Sequence, residues 1–172
     1  MRRVPSGTTA LWTIAAVLTV GGAGGLVLTR ATWEPCMPDE SSPSCLEVMD
    51  GPPHLSALQL FWMLAFALSL WAVGVAGSRT GRAVAWAAVA LVALMNPFTE
   101  YLLWLGIAGG HWDVPPGTGY TQALGFVVAG LLVAVAAYIR MRHVAGHRPL
   151  PGAGRRTTGD SDSRAAAARP LV

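Results

Sequence analysis

The chain has 172 residues, of which 53% are hydrophobic and 12% charged, and its formal net charge is +3. Soluble domains carry about a quarter charged residues, so this balance argues against a soluble globular fold and for a membrane protein. Nucleic acid is not an expected partner, because the twelve basic residues sit at segment ends and form no patch interleaved with aromatics. All twelve are Arg, which together with abundant Ala, Gly, Leu and Val suggests a GC-rich bacterial genome.

Four apolar runs, 10–29, 55–77, 83–108 and 122–139, are long enough to cross a membrane. A hydrocarbon core of about 30 Å needs roughly 20 helical residues. Backbone amides have no water to bond in that core, so each run is expected to be a helix, and the alternation of a barrel strand is absent. The fold class expected is an all-α membrane protein, a four-transmembrane-helix bundle occupying 1–145. The first run follows Arg2 and Arg3, as in a signal peptide. It exceeds the roughly 7–15 apolar residues of a signal core and no good small-x-small cleavage site precedes Arg30, so an uncleaved anchor is expected.

The arginines set the orientation. Arg2, Arg3, Arg79, Arg82, Arg140, Arg142 and Arg148 fall on one side of such a bundle. The other side has Arg30 among Glu34, Asp39, Glu40, Glu47, Asp50 and Asp113. By the positive-inside rule both termini are cytoplasmic, which places the protein as a multi-pass component of a bacterial plasma membrane. Trp12, Trp33, Trp104, Trp112, Tyr120 and Tyr138 lie near span ends and are expected as interfacial anchors.

Two outer loops are expected, at 30–54 and 109–121. The first contains CMPDESSPSC, residues 36–45, and on an oxidising side Cys36 and Cys45 are expected to form a structural disulfide. Eight residues separate them, unlike the Cys-x-x-Cys of a redox-active pair. The second outer loop, HWDVPPGTGY, is rich in turn formers. The segment 146–172 is rich in Arg, Gly, Ser and Ala and is expected to be a disordered basic cytoplasmic tail. Small residues offer close helix contacts: Gly21 and Gly25 in the first run, and Gly125, Ala129, Gly130, Ala134 and Ala137 in the fourth.

One feature bears on function. Glu100 is the only charged residue between Arg82 and Asp113, inside the third apolar run. A charge at bilayer depth costs about 2.5–3.5 kcal/mol even on insertion scales, so Glu100 should face protein or water. Pro97 has no amide hydrogen; it frees the carbonyl of Ala93, kinks the helix and opens a polar spot. Asn96 and Glu100 are i, i+4 neighbours on a helix, with Leu103, Trp104 and Ile107 continuing that face. Gln59, Asn96, Thr99, Tyr101 and Trp104 are candidate pocket-lining residues. Glu100, His111 and Asp113 are candidate catalytic residues. His54, Tyr120 and Gln122 fall at the same outward level.

Three roles compete for Glu100. As a protonated carboxylic acid it bonds Gln59 or a freed carbonyl and glues helices together. As a general acid it protonates a lipid-soluble substrate, because an apolar site keeps the carboxyl neutral. As the proton-coupled group of a small transporter it would need a path through the inner half, where no second charge marks one. PFTEYLLW, residues 97–104, resembles the Pro-x-Glu-Glu-Tyr-type motif of membrane-embedded lycopene cyclases and related terpene cyclases. Pro97, Glu100 and Tyr101 match it, and Thr99 stands where its first acid belongs. The resemblance implies an acid on a membrane helix that starts cyclisation of an isoprenoid by protonation.

His143 and His147 have i, i+4 spacing, but no third ligand is near in sequence and no metal is expected. No phosphate-binding Gly loop, nucleophile elbow or haem-attachment motif occurs, and no cofactor is expected. The leading expectation is an interaction or accessory protein whose partners are the lipid bilayer, a membrane protein or a second copy. The alternative is a membrane enzyme using Glu100 on an isoprenoid or other lipid-soluble small molecule.

Overall fold

The computed structural model describes residues 6–39, 41–96, 99 and 119–146. These are almost wholly helical, with no strand among the described residues. Helix α1 spans Ser6–Trp33 and runs into a short 3-10 turn, Glu34–Cys36. Helix α2 is Pro43–Asp50, α3 is Pro53–Val75, α4 is Arg79–Leu94 and α5 is Tyr120–Gly146. Of these, α1, α3 and α5 are long and apolar enough to cross a membrane.

The apolar runs 10–29 and 122–139 fall in α1 and α5, and 55–77 overruns the end of α3 by two residues. The run 83–108 is not one unbroken helix. Helix α4 stops at Leu94 after 16 residues, about 24 Å at 1.5 Å per residue. The segment 30–54 is also not the plain loop expected. Ser42 and Pro43 start α2 inside it: the Ser42 side chain accepts from the Cys45 amide (3.3 Å), and Pro43 at N1 sacrifices no hydrogen bond.

Buried positions recur at alternating intervals of three and four. They are Thr8, Leu11, Ala15, Leu18, Gly22, Gly25 and Thr29 on α1, and Gly81, Ala85, Ala88 and Val92 on α4. On α5, Gln122, Phe126, Ala129, Val133 and Ala136 repeat the spacing. Such stripes let helices lie side by side at shallow angles. Helix α5 packs chiefly on α1 and α4, and α3 packs on α4 and α1, so each long helix has two main neighbours. Gly7 and Arg140 adjoin, as do Gly119 and Thr29, so α1 and α5 are antiparallel.

Close approach along α1 and α5 depends on small residues. A Cβ at Gly22 would lie 2.7 Å from the Val127 amide nitrogen and 2.8 Å from the Ala123 carbonyl oxygen. The pair facing α5 is thus Gly22 and Gly25, and Gly21 instead meets the Phe61 ring of α3. A spacing of three, not four, selects the face here. Phe61 and Phe126 pack edge-to-face at 5.0 Å between centroids and join α3 to α5 across the core. Outward-facing side chains are large and apolar, among them Val20, Val27, Leu60, Leu131 and Val135.

Candidate functional site

The first element of the site is the end of α4. With Pro97 next in sequence, the Ala93 carbonyl has no amide partner four residues on, and the Asn96 side chain supplies one: Nδ2 donates to the Ala93 carbonyl at 2.8 Å. Asn96 Oδ1 accepts from the Thr99 amide at 3.1 Å, and Asn96 Nδ2 and Thr99 Oγ1 lie 2.9 Å apart. Asn96 therefore closes α4 and also holds the Thr99 amide. One carbonyl earlier, Val92 accepts from Trp62 Nε1 on α3 at 2.6 Å. Among the described residues, Asn96 and Thr99 are the polar side chains at the Ala93 carbonyl.

The second element is the C-terminal end of α1 and the start of α5. Trp33 is buried, with its ring edge-on to His54 at 5.7 Å. It is not the lipid-facing anchor expected of it, because its ring packs against His54 of α3, whereas Trp12, Tyr120 and Tyr138 are exposed. His54 and Thr29 are both buried. Gly119 enters α5 at φ 87°, a left-handed conformation suited to glycine, and a Cβ there would meet Leu58, Thr29 and His54. Gln122, in the first turn of α5, is 1% exposed. Neither of its amide atoms, nor Thr29 Oγ, has a hydrogen-bond partner among the described residues. A buried unpaired amide costs about 1–3 kcal/mol, so Gln122 marks a place where a polar partner belongs.

Cys36 and Cys45 stand at disulfide distance, with Cα atoms 4.7 Å apart, and no other cysteine exists. Within that ring Asp39 accepts from the Ser41 hydroxyl (2.7 Å) and amide (2.9 Å). Those bonds hold its carboxyl below the usual carboxylate range.

The remaining expected residues divide cleanly. Glu100, Tyr101, Trp104, His111 and Asp113 lie outside the described residues, as does His147. Gln59 is half-buried on α3, so the deeply buried amide is that of Gln122. His143 is exposed on α5, and no group of three or more His, Cys, Asp or Glu side chains that could hold a metal occurs among the described residues. Thr29 is a site residue that the sequence did not single out. Its signal was its place on the three-four stripe of α1, where every neighbour is apolar or small.

No family model matches the chain, and neither a curated protein nor a solved structure matches it. The likeness at 97–104 rests on those eight residues alone.

Proposed function

We propose that the chain is a four-span protein of a bacterial plasma membrane, with both termini cytoplasmic, that serves as an interaction or accessory protein. The observation that carries this reading is how its polar side chains are used. Asn96, Ser78 and Ser42 cap helix ends, and Trp62 and Arg140 bond carbonyls of neighbouring helices. Polar groups so used hold a scaffold together. Apolar side chains then cover the outside, where lipid or a partner helix meets them. The apolar run 83–108 would supply the third span, with α4 as its first part.

Reporter fusions after Val172 and within 39–44 test the topology, which requires an inside and an outside signal respectively. An outside signal at Val172 sinks it. The accessory role is tested by holding the purified full chain in nanodiscs made from bacterial lipid extract and following the lipids by mass spectrometry. The lipid pool should stay unchanged.

A second reading is favoured by Gln122. An amide buried on the outer half of α5, one turn before the Gly125 that packs on Met95, offers a donor and an acceptor near the α4 break. Glu100 follows that break in sequence. Together they would suit a lipid-soluble substrate, Gln122 orienting it and Glu100 protonating it. Conversion of a lipid in the nanodisc assay, lost in Glu100→Gln, would replace the accessory reading with this one.

A further inference from the structure

The end of the molecule opposite the cysteines holds a cavity of about 490 Å³ lined by Gly77, Ser78, Arg140, His143 and Val144. Arg140 reaches it from the last turns of α5. Its Nη1 donates to the Val75 carbonyl at the C-terminus of α3, and its guanidinium packs beside Gly7 and Gly77. Gly77 has φ 77°, and a Cβ there would come within 2.8 Å of Arg140 Nη1, so this turn keeps the guanidinium in place. Arg140 Nε is fully buried and has no hydrogen-bond partner among the described residues.

Charge at this end is one-sided. Arg79, Arg82, Arg140 and Arg142 gather here, and the described carboxylates, Glu34, Asp39, Glu47 and Asp50, all lie at the other end. A part-buried guanidinium that lacks, among the described residues, both a carboxylate and a partner for one of its donors costs free energy unless an anion joins it. The cavity also abuts the N-terminus of α4, whose dipole favours an anion, and Ser78 already satisfies the Gly81 amide there.

We propose that this cavity is a binding site for a phosphate group, that of an anionic phospholipid headgroup, held by Arg140 and flanked by His143. It rests on the membrane reading above, since the cavity then lies at the cytoplasmic interface, where basic pockets between spans meet acidic lipid. Planar guanidinium donors match phosphate oxygens better than an ammonium does, which suits Arg at the centre.

The test uses the full chain in neutral detergent, titrated with phosphatidylglycerol or phosphatidylcholine and read by native mass spectrometry and thermal midpoint. Phosphatidylglycerol should bind saturably and raise the midpoint, and phosphatidylcholine should not. Arg140→Gln should abolish the preference. Because Arg140 also bonds Val75, His143→Glu on the exposed face serves as the second variant, and it should weaken binding by about fivefold or more. Wild-type binding in a folded His143→Glu variant, or equal shifts from the two lipids, overturns the site. Inorganic phosphate forms a separate arm. Stabilisation by it at equal concentration assigns the site to free phosphate, and none assigns it to the headgroup. Asp160→Asn/Asp162→Asn should bind lipid as the wild type does. Tighter binding would show the chain's own carboxylates to be the resident anion and overturn the lipid. Release of the protein from membranes by alkaline carbonate would fail the membrane reading separately, leaving the phosphate arm valid.

Discussion

Trp62 on α3 donates its indole N–H to the main-chain carbonyl of Val92 on α4 at 2.6 Å. Trp62 thus joins two neighbouring helices close to the C-terminal end of α4, while its ring stacks on Phe66 at 5.6 Å. Replacing it by Phe keeps a ring for the stack and removes the donor. Trp62→Phe should cost about 1 kcal/mol in reversible unfolding from mixed micelles. The exposed Trp71→Phe should cost little by the same measurement.

Gly22 and Gly24 provide a matched pair. A Cβ at Gly22 meets α5 backbone under 3 Å away, and one at Gly24 meets nothing within 4 Å. Backbone cannot swing aside as a side-chain tip can, so Gly22→Ala must push α1 and α5 apart. The expected loss is about 1–3 kcal/mol, as for overpacking. Gly24→Ala, measured alongside, should be neutral or slightly stabilising through helix propensity.

The Cys36–Cys45 pair predicts a thiol count. Alkylation of the folded full chain should modify no cysteine before reduction and two after it. Two labelled thiols in the unreduced protein would contradict the pairing. Reduction should loosen the turn that carries Asp39 and Ser41 more than the helices, because only α2 is anchored through the ring.

The long apolar runs were legible because lipid-compatible helices need nothing beyond length and hydropathy, and α1, α3 and α5 follow them closely. The freed carbonyl at Ala93 was legible too, since it follows from the missing amide of Pro97. Its consumption by Asn96 was not: the same side chain can line a pocket or cap a helix, and only geometry decides. Helix α2 had a readable signal in Ser42–Pro43, masked by its position between cysteines in a polar segment. Which glycine of GGAGG faces α5 was not readable, because a run of small residues leaves the helix phase undetermined. Trp33 was misplaced for a related reason. Nearness to a span end fixes its depth but not whether it faces lipid or protein.

Glu100 is where the functional readings part. In each of them it faces away from lipid, so Glu100→Lys should impair insertion or folding by bringing a costly charge to a site not made for it. Glu100→Gln discriminates. Gln keeps the shape and most of the hydrogen-bonding capacity but cannot give up a proton as an acid. If Glu100 only joins helices, the Gln variant should insert, keep a near-normal thermal midpoint in detergent and leave any cellular phenotype intact. If Glu100 is a general acid, the variant should fold normally while lipid conversion falls by about 10²–10⁴-fold. Gln122→Leu separates the readings from the other side. It removes a buried amide with no partner among the described residues, and apolar replacement of an unpaired polar group is neutral or stabilising. On the accessory reading Gln122→Leu should therefore raise the thermal midpoint and change nothing else. A substrate-orienting amide would instead show as a stabilised protein with weakened substrate binding, its KM raised more than its kcat lowered.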